Sequence, residues 1–277
     1  MNLTTITAVQ RPASIDEIGP WRSGNAWLAG GTWLFSEPQP QTDTLIDLDT
    51  LGWTPLTASA AGLDIAATCS IADLYRFTAP AAWAAAPLLR DCCNALLASW
   101  KIWNVATVGG NICMSLPAGA MISLTVALEA TYVLWPHDAA PREVAAAQFV
   151  TGNHANVLRP GELLRSILIP ATALSKRYAL RRSSLVKLGR SAALLIGTQN
   201  RAGGEFRLTI TASTPWPVHL RFDTIPTAKV LRQAIDEYLG EDGYFEDPNG
   251  SAAYKRHLTY HHAEAIRAEL ALPEKAA

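Results

Sequence analysis

The sequence between residues 104 and 119 reads Asn104-Val105-Ala106-Thr107-Val108-Gly109-Gly110-Asn111-Ile112-Cys113-Met114-Ser115-Leu116-Pro117-Ala118-Gly119. A glycine pair framed by Thr107 and Asn111 has a particular backbone chemistry. Glycine permits positive φ and lets consecutive N–H groups converge on an anion, and the short polar side chains add donors beside them. A second stretch of this kind, Leu28-Ala29-Gly30-Gly31-Thr32-Trp33-Leu34, stands directly after a strand candidate. Alone, either stretch reads as a tight turn, because glycine is the ordinary turn residue. Facing one another, the two loops would form a cradle for a pyrophosphate. Neither fits Gly-x-Gly-x-x-Gly with an acid about 20 residues on, nor Gly-x-x-x-x-Gly-Lys-Ser/Thr, which excludes the dinucleotide fingerprint and the Walker loop.

The second loop lies inside Ile102–Leu128, a stretch without a charged residue and long enough to span a bilayer. Asn104, Gly109-Gly110-Asn111, Pro117 and Gly119 would leave polar groups unpartnered in lipid, so the stretch reads as a buried loop feeding a core helix. Upstream, Asn25–Leu28, Thr44–Leu48 and Leu63–Ala67 read as short strands, and Ser70 to Asp73 has the spacing of a helix start. Ala81–Trp100 has helical periodicity divided by Pro87, and Thr131–Trp135 and Leu163–Ile169 are strands closed by prolines. Beyond Pro170, Ala192–Gln199 and Glu205–Ser213 flank a Gly-Gly hairpin turn. Helices are predicted over Thr227–Leu239 and Ser251–Leu270, the latter with Ser251 as N-cap and Tyr254, Leu258, Ile266 and Leu270 on one face. This is an α+β pattern, with domains expected at 1–172 and 173–277.

The 277 residues are 49% apolar and 17% charged, with 23 basic against 24 acidic side chains. That balance excludes a binder that neutralises nucleic-acid phosphates along a basic stripe. The densest basic stretch, Lys176-Arg177 to Arg190, is interrupted by apolar residues and reads as a partly exposed strand and loop, with Arg181-Arg182 solvated. Met1–Pro12 lacks the cationic and apolar regions of a signal peptide. Cys69, Cys92, Cys93 and Cys113 form no CxxC pair and have no histidine at ligand spacing, so no metal site is expected in the chain. Buried free thiols suit a reducing cytoplasm. His261-His262 face different directions on a helix and make a poor chelate. No Ser-His-Asp constellation or carboxylate pair is evident, and no catalytic residue is assigned.

The combination of Ala29-Gly30-Gly31-Thr32 with Ala106-Thr107-Val108-Gly109-Gly110-Asn111-Ile112-Cys113 and Pro117-Ala118-Gly119 resembles the FAD-binding subunit or domain of molybdenum hydroxylases. These are the xanthine dehydrogenase, carbon monoxide dehydrogenase and aldehyde oxidoreductase relatives. The resemblance continues through Glu162-Leu163-Leu164-x-Ser-Ile, Lys187-Leu188-Gly189-Arg190 and Gly250-Ser251-Ala252-Ala253-Tyr254-Lys255-Arg256. It implies two FAD-binding subdomains of the vanillyl-alcohol-oxidase type and a small C-terminal domain of antiparallel strands and helices. It further implies FAD, expected to be non-covalent because no His or Cys stands at an evident attachment position, held from one side by Gly30, Gly31, Thr32 and Leu34, with Ala29 and Trp33 completing that loop. Thr107, Gly109, Gly110, Asn111 and Ser115 would hold it from the other, with Ala106, Cys113 and Gly119. Leu163 and Leu164 would pack near the adenine. Lys187, on a strand, would approach the flavin ring, unless it is an ordinary surface lysine.

By the same resemblance, the chain would take electrons from 2Fe-2S clusters in a small subunit and pass them to a nicotinamide, a quinone or oxygen. A large subunit would hold the molybdenum cofactor. Departures from the family pattern are Ala120 where an acid is common, Trp33 where Asp is common, and Met114 and Leu116 in the second loop. They motivate two alternatives: a flavin-free scaffold or assembly protein with the same fold, and a free-standing flavin oxidoreductase.

Overall fold

The structure, a computed structural model, describes residues 3–136 and 139–273, so Met1 and Asn2 of the amino-terminal segment and the last four residues of the 173–277 domain lie outside the described residues. The chain begins with three parallel strands, β1 (Ala8–Gln10), β2 (Asn25–Leu28) and β3 (Thr44–Asp47), with β3 in the middle. The Gly30-Gly31 loop therefore leaves the carboxyl end of a parallel strand, where open α/β sheets commonly take ligands.

Strands β4 (Leu56–Ser59), β5 (Gly62–Ala66), β6 (Thr131–Trp135) and β7 (Arg142–Ala145), a small hairpin of β8 (Val150–Gly152) and β9 (Ala155–Asn156), and β10 (Leu163–Pro170) follow. Apart from the hairpin they form an antiparallel sheet ordered β4-β5-β10-β6-β7. Ile65, Ile167 and Ile169 share its core with Leu89, Cys92 and Cys93, and with Met121 and Leu124. The helices here are α1 (Ile71–Arg76), α2 (Pro87–Ala95), α3 (Trp100–Trp103), α4 (Val108–Cys113), α5 (Ala120–Ala127), α6 (Ala146–Phe149) and α7 (Ala171–Leu174). Pro87 occupies the first turn of α2, which is why helical periodicity upstream of it becomes turns instead. All eight residues of α5 are buried, as expected of an apolar stretch without a polar face.

A meander of β11 (Arg177–Ser183), β12 (Ala193–Gln199), β13 (Phe206–Thr211) and β14 (Val218–Phe222), with α8 (Ala228–Leu239) and α9 (Ala252–Ala271), completes the fold. Leu194 and Ile196 of β12 join the core around α5, whereas Ala193 and Leu195 join the core beneath α9. Both faces of β12 are thus covered, which explains its unbroken apolar run.

Three expectations need correction. The 104–119 segment is not all loop, because Thr107 caps α4 and Gly109 and Gly110 lie within that helix. Lys187-Leu188-Gly189-Arg190 is a turn rather than a strand, closed by Gly189 N–H donating to Val186 O at 2.8 Å. On α9, Leu258, Ile266 and Leu270 are buried but Tyr254 is 36% exposed, and fully buried Lys255 occupies the inner face beside it. The ammonium is buried because it donates to Asp247 Oδ1 at 2.8 Å and to Ala212 O at 3.2 Å, so its charge and hydrogen bonds are met inside.

Candidate functional site

A cleft of about 1180 Å³ runs between the first loop, α4 and the third sheet's edge. It is larger than the usual small-molecule pocket of about 300–1,000 Å³ and has room for an extended dinucleotide. It gathers Ala29, Gly30, Gly31, Thr32, Trp33 and Leu34 with Ala106, Thr107, Gly109, Gly110, Asn111, Cys113 and Gly119, and adds Leu163 and Leu164 from β10. Two sequence candidates do not line it. Ser115 is fully buried and braced from behind, its Oγ accepting from Asn156 Nδ2 at 3.0 Å. Lys187 is exposed on its turn, outside the cleft wall.

The two loops meet at Gly30. A Cβ there would come within 1.8 Å of Val105 O, so only glycine allows the backbones to approach this closely. Gly31 has φ 66°, and Phe35 N–H returns to Gly31 O at 2.8 Å to close a single turn. Among the described residues, the N–H groups of Gly30, Gly31, Thr32, Trp33 and Leu34 have no acceptor within the chain. These residues are half-buried at the cleft, where water meets such donors until a ligand replaces it, and a run of them in a turn is a ready anion nest.

The second loop works differently from its sequence reading. Val108 N–H donates to Cys69 O at 2.8 Å, Gly109 N–H to Ala67 O at 2.9 Å, and Gly110 N–H to Thr107 Oγ1 at 2.9 Å. Its leading donors are therefore spent on the fold. A Cβ on Gly109 would lie 2.5 Å from Ala67 Cβ and 2.7 Å from Ala67 Cα, so this glycine permits α4 to pack on the end of β5. A Cβ on Gly110 would meet only Thr107 Oγ1, leaving that position open on its cleft side. Asn111 Oδ1 accepts from Met121 N–H at 3.0 Å and ties α4 to the start of α5.

Sequence reasoning gave the remaining wall residues no separate role, although Trp33, Glu162 and Arg190 stand in its motifs. Trp33 faces His154 with ring centroids 5.5 Å apart, and His154 holds φ 56°, an unusual backbone for a side-chain-bearing residue. Glu162 lines the cleft while Arg142 grips it in a bidentate pair at 2.9 and 2.7 Å, which keeps its carboxyl below the usual range. From the third sheet's side come Arg190, Ser191, Phe245, Asp247, Pro248 and Asn249. Burial pushes the Asp247 carboxyl up, but hydrogen bonds from Lys255 and Asn249 outweigh it and leave a net lowering. The Gly250–Arg256 motif pointed to this wall, since it supplies Lys255. No local sequence signal marks His154.

The first loop meets the second at the Gly30–Val105 contact, and the third sheet's side meets that second loop at Pro117, where Ala212 N–H donates to Pro117 O at 2.8 Å and Phe245 N–H to Ser213 O at 2.9 Å. The N–H row and the third sheet's side thus line different walls of the cleft. Such a cleft can hold an anionic bridge on the first loop and an aromatic ring system against its apolar lining.

Comparison with known proteins agrees with this geometry. Residues 5–172 match the family described as the FAD binding domain in molybdopterin dehydrogenase. The chain is 34% identical over 93 residues to the carbon monoxide dehydrogenase medium chain of Afipia carboxidovorans, a match covering 34% of this chain and 32% of that one. It is 35% identical over 86 residues to xanthine dehydrogenase of Oryza sativa subsp. japonica, covering 29% of this chain and 6% of that one. The chain thus matches about a third or less of either relative's own length. In fold it is similar to a chain of carbon monoxide dehydrogenase from Hydrogenophaga pseudoflava, with TM-score 0.78, 22% identity, and coverage of 94% of this chain and 96% of that one. A chain of quinoline 2-oxidoreductase from Pseudomonas putida 86 gives TM-score 0.77 and 19% identity, with coverage of 97% and 98%.

Proposed function

The chain belongs to the family of FAD-binding domains of molybdopterin dehydrogenases, and from that premise we propose that it is the flavin subunit of a molybdenum hydroxylase. In this reading it accepts electrons arriving through 2Fe-2S clusters of a small subunit and passes them to an external acceptor, while a large subunit holds the molybdenum cofactor. The observation that carries it is the row of N–H groups from Gly30 to Leu34 without an acceptor in the chain, lining a dinucleotide-sized cleft.

The N–H groups of Gly30–Leu34 bind the pyrophosphate, and Gly110 leaves space beside it. Leu163 and Leu164 supply apolar contact for the adenine, and Trp33 with His154 encloses the middle of the cleft. When bound, FAD supplies the redox chemistry, and the chain's own residues position it and exclude water. FAD is held without a covalent bond. The domain division falls at 172/173, so that the far wall of the cleft comes from the second domain. The unspent donors favour this reading over a flavin-free scaffold, which has no use for five adjacent N–H groups kept free of acceptors in the chain.

We place the protein in the cytoplasm, since its four cysteines are all free. Among the described residues, no helix is long and apolar enough to cross a membrane. The test is purification of the full chain followed by acid release of its chromophore. FAD at one equivalent supports the reading, and its absence from protein supplied with excess FAD refutes it. Co-purification with molybdenum-containing and 2Fe-2S subunits tests the partners.

A further inference from the structure

The charged side chains lining the cleft, among the described residues, are Glu162, Arg190 and Asp247. Glu162 is neutralised by Arg142 and Asp247 by Lys255. Arg190 has no hydrogen bond or ion pair with any described residue. The cleft therefore carries one uncompensated charge, which is positive, on the wall from the third sheet's side. A guanidinium there is always protonated and offers a fork of planar donors.

The backbone around Arg190 is held. Arg182 Nε donates to Ser191 Oγ at 2.8 Å and its Nη2 donates to Gly189 O, so one buried-side guanidinium clamps the residues on either side. Ala192 N–H closes the base of the loop on Ser183 O at 2.8 Å. Arg182 has no carboxylate partner either, so it adds to the positive field instead of cancelling it. By contrast, Lys187 rides the loop's exposed tip beside Leu188, which is 80% exposed.

We propose that Arg190, positioned by Arg182, is the cation that meets the isoalloxazine end of the bound flavin and stabilises its reduced, anionic form. The inference rests on the FAD reading of the cleft. The pyrophosphate has its own donors in the first loop, which leaves the charge on this separate wall for the ring, where negative charge develops on reduction.

The experiment is an anaerobic spectroelectrochemical titration of the FAD-loaded full chain, with FAD affinity measured in parallel on stripped protein. Arg190 is exposed and makes no contact the fold needs, so Arg190→Gln folds normally. Its reduced-to-oxidised ratio at a fixed potential falls about tenfold, a drop in midpoint of about 30 mV for a two-electron couple, while FAD affinity changes little. Arg190→Lys retains part of the potential, and Lys187→Gln leaves it unchanged. An unchanged or raised potential in Arg190→Gln overturns the inference. So does a tenfold loss of FAD affinity, about 1.4 kcal/mol, with the potential unchanged, because Arg190 would then serve the phosphates. If the wild-type chain takes up no FAD, the reading of the cleft itself fails and the inference falls with it. A wild type that binds FAD beside an indifferent Arg190→Gln sinks the inference alone.

Discussion

The adjacent glycines of α4 make opposite demands, and substituting them singly separates packing from ligand retention. In Gly109→Ala the new Cβ lies 2.5 Å from Ala67 Cβ and 2.7 Å from both Ala67 Cα and O. Ordinary carbon contacts are near 3.5–4.0 Å, so the shortfall is about 1 Å against backbone atoms that no rotamer change can move. Overpacking of this sort costs about 1–3 kcal/mol or more, and alanine's better helix propensity returns up to about 1 kcal/mol. The displaced backbone also carries the 2.9 Å bond from Gly109 N–H to Ala67 O, worth about 1 kcal/mol. A net loss of about 1–3 kcal/mol follows, or a melting temperature lowered by roughly 2–10 °C for a protein of this size.

The Cβ of Gly110→Val meets only Thr107 Oγ1, at 2.9 Å, at a position that lines the cleft. Its stability cost is bounded by the Thr107 cap, about 1 kcal/mol, while FAD affinity falls at least about tenfold. Scanning calorimetry of apoprotein and flavin-fluorescence titration of both variants provide the two readouts. Full FAD affinity in Gly110→Val, or an unchanged melting temperature in Gly109→Ala, would refute this division of labour.

Other consequences follow from the buried charges and thiols. Lys255→Met leaves Asp247 without its cation, and because that carboxylate is only half-buried at the cleft the substitution should cost about 1–3 kcal/mol in denaturant unfolding, less than halving a fully buried pair; an unchanged stability would mean that the carboxylate is already hydrated. Burial holds the folded pKa of both His219 and His262 down to about 4 from 6.5. Because the unfolded chain then binds these protons first, stability falls as pH drops from about 6.5 toward 4, by up to about 2 kcal/mol per histidine at pH 5. A flat stability profile between pH 7 and 5, or one that His219→Gln with His262→Gln fails to flatten, counts against it. Cys113 lines the cleft, but burial pushes its thiol up to about 12, so it stays protonated and unreactive toward flavin. All flavin should leave the polypeptide on acid precipitation, and colour retained in the pellet would show a covalent bond.

Much of this protein is written locally. Ser70, Thr227 and Ser251 each accept a hydrogen bond from the N–H three residues on, and each starts a helix where its sequence placed one. Asn25–Leu28 and Thr131–Trp135 are strands at those bounds, and in the second a run of β-branched and aromatic residues closed by Pro136 decides its own backbone. The glycine pairs likewise disclosed both loops of the cleft, since a backbone that needs no Cβ shows in the residue itself.

Tertiary structure decided what these groups touch. The pairs at 30–31 and 109–110 look alike in sequence, yet the N–H groups of the first are unmet while those of the second end on Ala67 O and Thr107 Oγ1. Lys187 and Arg190 are three residues apart and equally basic, and a turn closed at Val186 O, with the Arg182 clamp, puts one at the solvent tip and the other at the cleft. Lys255 gives no sign of burial until Asp247 and Ala212 O are brought beneath it. The physical reason is the same in each case. A cap, a turn or a strand is settled among neighbours a few residues apart, whereas the fate of a donor or a charge depends on acceptors delivered by distant segments, which only the closed fold brings within hydrogen-bonding distance.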